Sequence, residues 1–222
     1  MTTKRLQAIT GDRITLSHPT LGFERGATTS VTVVSGGITY NITSMPPGID
    51  HDMSVITGEY QLAGGTLRVR ESVDTLQIGA SAMRYHNLWE CGTGSLSLMT
   101  HDHHEEGMDL LSLMEPVETP LGARVHAKNG VEVVSPPAFL FEARPLGLLQ
   151  ISPLTPSALA SLPDWQGTPV AGGELFAANL SRTVPYLILV TDTARVDISL
   201  FDTDDLDTPA ELASKLEVTW TP

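Results

Sequence analysis

The sequence predicts an all-β chain, mostly antiparallel: a β-sandwich or barrel with long Pro/Gly-rich loops and one or two short helices. Three observations carry this. Apolar and polar residues alternate with a period of two along much of the chain, with β-branched residues prominent in the runs. Turn signals separate these runs roughly every ten residues, the rhythm of sandwiches and barrels rather than of βαβ units. Helix start signals occur in only two short windows.

The elements follow in order. Residues 13–17 alternate and form a first strand. Residues 30–34 and 38–43 are two β-favouring runs joined by Ser35, Gly36 and Gly37, the clearest hairpin in the chain. A second hairpin runs from 59–62 through Ala63, Gly64 and Gly65 into 66–70, where Leu67 and Val69 face inward and Arg68 and Arg70 outward. Further strands are predicted at 75–78, 94–99, 108–114, 131–134, 138–143, 148–151, 186–191, 195–201 and 216–221. Thr208, Pro209 and Glu211 are an N-cap, a first-turn proline and a capping-box glutamate for a helix of about two turns. Thr155 and Pro156 open a second short helical window that Pro163 closes. The weak junction after the hairpin-rich first part divides the chain into residues 1–82 and 83–222. Lys4, Arg5 and Arg13 read as a frayed, locally basic terminus.

Composition excludes several classes. A chain of 222 residues buries enough surface to fold without a disulfide, and its single cysteine, Cys91, has no internal partner. The formal net charge of −13 argues against bulk nucleic-acid binding, because such a surface repels phosphate. The longest apolar runs are too short to span a bilayer. The residues after Met1 are polar and basic rather than an apolar h-region, so secretion by a signal peptide is not expected. No phosphate loop, nucleophile elbow or dinucleotide motif is present. Asp202, Asp204, Asp205 and Asp207 lack the turn glycine and distal glutamate of a calcium loop.

One segment is dense in candidate chemistry: Thr100-His101-Asp102-His103-His104-Glu105-Glu106-Gly107. On an extended strand His101 and His103 project to one face about 7 Å apart, and Glu105, Glu106 or the later His126 could complete a ligand set for one divalent transition metal, the set expected being His101, His103, Glu106 and His126. The plainer alternative, and the one we expect, is a polar hairpin tip joining 94–99 to 108–114, with no cofactor. Gly94, His101, His103 and Glu106 are similar to the first motif of the cupins, and Pro120, Leu121, Gly122 and His126 are similar to the second. The resemblance implies a metal-dependent β-barrel enzyme. The spacings depart from the family's: six residues separate Gly94 from His101, and Glu106 follows His103 closely.

Residues 151–173 form a second unusual stretch, too long and proline-rich for a plain connection. They carry Leu154, Leu159, Leu162, Trp165 and Val170, which must fold back on their own domain or meet a neighbouring subunit; we expect the latter.

The function expected is therefore structural: a subunit, itself a homo-oligomer, of a larger symmetric assembly, made in a host cytoplasm and carried in a virion. A capsid decoration, head–tail or tail protein of a bacteriophage is the most natural case. The alternatives are the cupin-like enzyme using residues 101–106 and a carbohydrate-binding sandwich. Replacing His101 and His103 together with alanine should leave fold, stability and assembly near wild type at neutral pH. Stoichiometric metal in the wild type that disappears in the double variant, with a lower melting temperature, would establish the metal site instead.

Overall fold

A computed structural model describes residues 1–47, 55–62, 64–75, 81–101, 104–128, 130–181, 184–201 and 207–222. The fold is mostly antiparallel β, as the sequence predicts, with three short helices among the described residues. No helix among the described residues is long and apolar enough to cross a membrane. The chain groups into two compact units: one of Met1–Ala8, Asp12–Ala27 and Ala138–Pro222, the other of Ile9–Gly11 and Thr28–Pro137. The division expected between residues 82 and 83 lies within the strand Ser81–Cys91.

The first unit is two sheets on one core. The smaller has the order β1-β2-β18, from β1 (Thr2–Gln7), β2 (Arg13–His18) and β18 (Glu217–Thr221). The larger contains β12 (Ala138–Arg144), β13 (Gly147–Pro153), β14 (Thr168–Val170), β15 (Gly173–Ser181), β16 (Val184–Val190) and β17 (Ala194–Leu200). Its strand order is β14-β15-β16-β17-β13-β12, and β3 (Gly22–Ser35), which begins in this unit, follows. Alternation decides which side chains meet. Ile14, Leu16, Val218 and Trp220 from the small sheet share a core with Phe139, Phe141, Leu149, Ile151, Leu187, Leu189, Val196 and Ile198. Phe139 meets Trp220 edge to face with ring centroids 5.8 Å apart. The amino terminus is not frayed as expected: Thr2–Gln7 pairs along β2, and the Lys4 ammonium lies 5.1 Å from the Phe141 ring centroid.

In the second unit the rest of β3 leads into β4 (Ile38–Met45), β5 (Ile56–Leu62), β6 (Gly65–Thr75), β7 (Ser81–Cys91) and β8 (Gly94–His101), in the order β3-β4-β8-β7-β6-β5. A short β11 (Val131–Val133) adds to β3. The predicted first hairpin is present. Ser35 opposes Ile38, and Gly36 and Gly37 both take positive φ (58° and 82°), as a tight two-residue turn requires. The second predicted hairpin, β5–β6, also forms, with Leu67 and Val69 buried. The sheet is covered by α1 (His104–Leu113) and by a hairpin of β9 (Met114–Thr119) and β10 (Gly122–Ala127).

Helix α1 corrects the strand expected at 108–114. Gly107, Leu110, Leu111 and Met114 are buried, an i, i+3, i+4, i+7 spacing that suits a helix lying on a sheet and not a strand. Gly107 is needed there, because a Cβ would overlap the side-chain amide of Asn87 beneath it. Asn87 is fully buried, its Nδ2 donating to Thr100 Oγ1 at 3.4 Å while Oδ1 has no partner among the described residues. Helix α2 (Pro156–Ala160) is capped by Thr155 as expected, whereas α3 (Asp207–Ala213) overlaps its window but includes Thr208, the expected N-cap, and ends before Leu216.

His18 ties α3 to the small sheet. Its Nδ1 accepts from the backbone N–H of Thr20 (3.0 Å) and of Leu21 (2.8 Å), which fixes the proton on Nε2, and Nε2 donates to Leu212 O at 2.9 Å. Burial pushes the imidazole below its ordinary 6.5 and Lys215 adds to this, while the bond to Leu212 opposes it. A proton on Nδ1 would face two N–H donors, so the folded state resists protonation that the unfolded chain accepts. The stabilisation is therefore complete above about pH 6.5 and lost as the pH falls from there through the lowered folded value. Melting temperatures of wild type and His18→Gln should diverge most at pH 7 and converge toward pH 5. A difference between them that does not change with pH would overturn this.

Candidate functional site

The five apolar residues expected at an interface lie in the stretch between β13 and β15, and the structure sorts them. Val170 packs against the core of the first unit, and Leu154 and Leu162 are half-buried. Leu159 and Trp165 project, 48% and 56% exposed. The stretch is not loose. Leu154 N–H bonds Thr193 O at 3.0 Å, and Thr155 Oγ1 caps α2 by accepting from Ala158 N–H at 3.1 Å. Further on, Gly167 N–H donates to the Glu174 carboxylate at 2.8 Å, and Gly167 sits against the Phe176 ring, leaving no room for a Cβ.

The strongest tether is Arg195. Its Nε and Nη2 grip the Asp197 carboxylate at 2.8–3.1 Å, and its Nη1 donates to Ala158 O (3.1 Å) and Ser161 Oγ (2.6 Å) at the end of α2. One guanidinium thus satisfies a carboxylate beside it on β17 and a helix C-terminus above it. Helix α2 itself buries no residue, so polar bonds rather than a hydrophobic stripe hold it.

Beside this tether the outward face of the large sheet carries a groove of about 400 Å³, lined by Leu140, Leu148, Gln150, Tyr186, Arg195, Asp197 and Ser199. Register explains the grouping. Leu148 and Tyr186 both oppose Ser199, and Gln150 opposes Asp197 and Leu140, so these side chains rise from adjacent strands on one face. The groove combines apolar walls with an amide, a hydroxyl and a carboxylate already matched by its arginine. Sequence reasoning did not single these residues out. The available signal was Leu140, an exposed leucine at an outward position between the buried Phe139 and Phe141.

The candidate metal ligands are distributed differently. His101 ends β8, with only its backbone described, and Asp102 and His103 lie outside the described residues. Glu106 stands in the first turn of α1, where it and Asp109 face Tyr40. Burial raises the pKa of that phenol and the two carboxylates push it further. His126 is exposed on β10, opposite Glu115 and so beside the far end of α1, about 10 Å of helix away from Glu106. Among the described residues no three His, Cys, Asp or Glu side chains gather where they could hold a metal ion. Cys91 Sγ donates to Gly94 O at 3.3 Å within the β7–β8 turn. Comparison with family models, with curated proteins and with solved structures finds no match to this chain.

If Arg195 holds the stretch in place, Arg195→Met should destabilise the first unit by about 2 kcal/mol, the scale of losing charge-assisted bonds from a mostly buried pair. Hydrogen exchange at residues 156–162 should accelerate more than elsewhere in the unit. Uniform acceleration, or none, would contradict the tether.

Proposed function

We propose that the chain is a structural and interaction subunit that joins copies of itself into a larger assembly through the outward face of its first unit. The observation that carries this reading is the presentation of Leu159 and Trp165. Two bulky apolar side chains stand exposed on a stretch that at least four polar anchors hold in one shape. A disordered loop would lose entropy on docking, whereas an anchored one has lost it already and presents its aromatic residue at little further cost. Exposed tryptophan on a preorganised surface is the usual composition of an interface anchor.

The second unit offers a further surface of the same kind. Among the described residues strand β5 ends the strand order with β6 on one side, with Ile56 and Tyr60 exposed along it and Val55 exposed just before it. The setting we propose is a virion component of a bacteriophage, where many copies of an acidic, β-rich subunit pack through loops and strand edges. No reaction is assigned to the chain.

Trp165→Ser should weaken subunit association at least about tenfold, or about 1.4 kcal/mol, and leave the unfolding midpoint of the isolated subunit nearly unchanged. Sedimentation and denaturant titration of both proteins measure the two effects. A lowered midpoint with association untouched would mean that Trp165 serves its own fold, and the reading would fail.

A further inference from the structure

We propose that the groove over β12, β13, β16 and β17 is the seat for Trp165 of a second copy, so that two copies join by exchanging this side chain reciprocally. The proposal rests on the assembly reading above and names the contact that makes it.

The first argument is chemical fit. Leu140, Leu148 and Tyr186 supply apolar and aromatic walls for an indole ring, and Gln150, Ser199 and Asp197 supply oxygen acceptors. A buried indole N–H needs one such acceptor. At about 400 Å³ the groove lies at the small end of ligand sites, the scale of one large side chain rather than of a helix or a long peptide.

The second argument is electrostatic. Each copy carries a formal charge of −13, so copies repel over most approaches. In this groove the carboxylate is paired with Arg195, which leaves the local charge balanced and favours a neutral occupant. A cation would have to compete with Arg195 for Asp197, and an anion would meet the field of the whole molecule.

The third argument is geometric. Arg195 lines the groove and also bonds Ser161. Trp165 follows Ser161 by four residues, a reach of at most about 14 Å. Knob and groove therefore belong to one patch, and Trp165 is absent from the lining of its own groove and 56% exposed. A patch that carries both halves of a contact is self-complementary, the condition for a closed two-fold pair in which both contacts form together.

The test is complementation between two variants. Trp165→Ser removes the knob. Ser199→Gln fills the groove from an exposed outward position without adding charge, and its unfolding midpoint should match wild type. Each variant alone should dimerise at least tenfold more weakly than wild type. In a mixture one intact knob faces one intact groove, so native mass spectrometry should find heterodimer in excess over both homodimers. Three results overturn the proposal. Ser199→Gln dimerising as tightly as wild type while Trp165→Ser dimerises more weakly removes the groove and leaves the assembly reading standing. The mixture can show no excess heterodimer, which places the two residues in different contacts. A wild type that stays monomeric at every concentration removes the assembly reading and this contact with it.

Discussion

Arg195 is the residue on which the outward face of the first unit depends. A guanidinium offers five N–H groups in one plane, and here they are spent in two directions at once, on Asp197 in its own strand and on the end of α2 above the sheet. That division has two consequences. It fixes a stretch that has no hydrophobic stripe with which to hold itself, and it balances the carboxylate in the adjoining groove. Lysine could not do both, since a compact ammonium has no planar fork with which to grip a carboxylate and still reach a helix end. The exposed position of Trp165 and the balanced character of the groove are thus two outcomes of one hydrogen-bonding arrangement.

The second unit solves a different problem, covering a sheet with a helix where the sequence resembles a strand. Alternation was legible wherever one face of a strand is buried and the other wet, as in β2, β12, β13 and β17. It misled at 108–114 because Met108, Leu110 and Met114 alternate as well as they repeat helically. The deciding residue is Gly107, whose lack of a side chain lets α1 approach Asn87, and a glycine in that position carries no local sign of the close contact it permits. Strands β1, β7, β9, β10, β14 and β15 went unread for a related reason. Each pairs with a strand next to it in the sequence, but none alternates cleanly, and their identity comes from that pairing more than from composition. The turn glycines were the better guide, because a positive φ is a local demand that glycine answers locally.

The candidate site was half legible. Residues 151–173 stood out by proline content and stray apolar side chains, and two of the five residues named there, Leu159 and Trp165, do project. The groove was invisible in sequence because it is assembled by register across β12, β13, β17 and β16, with each strand contributing only one to three side chains. In the histidine-rich segment proximity in sequence did not carry over to the whole proposed set. The rest of α1 after Glu106 intervenes, and it sets Glu106 near the start of the helix and His126 beside its far end.

The two units also differ in how they treat buried polarity. In the first, His18 has both ring nitrogens satisfied by backbone groups, and the arrangement holds only while the ring is neutral. In the second, Asn87 leaves Oδ1 without a partner among the described residues, a cost of about 1–3 kcal/mol that the surrounding core of Leu98, Leu110 and Leu111 must offset. His18 therefore links stability in the first unit to proton concentration, while the contact between α1 and its sheet depends on side-chain fit. In the assembly proposed above, acid that disfavours the neutral His18 would act on the same unit from which β17 presents Arg195, so association and folding would weaken together.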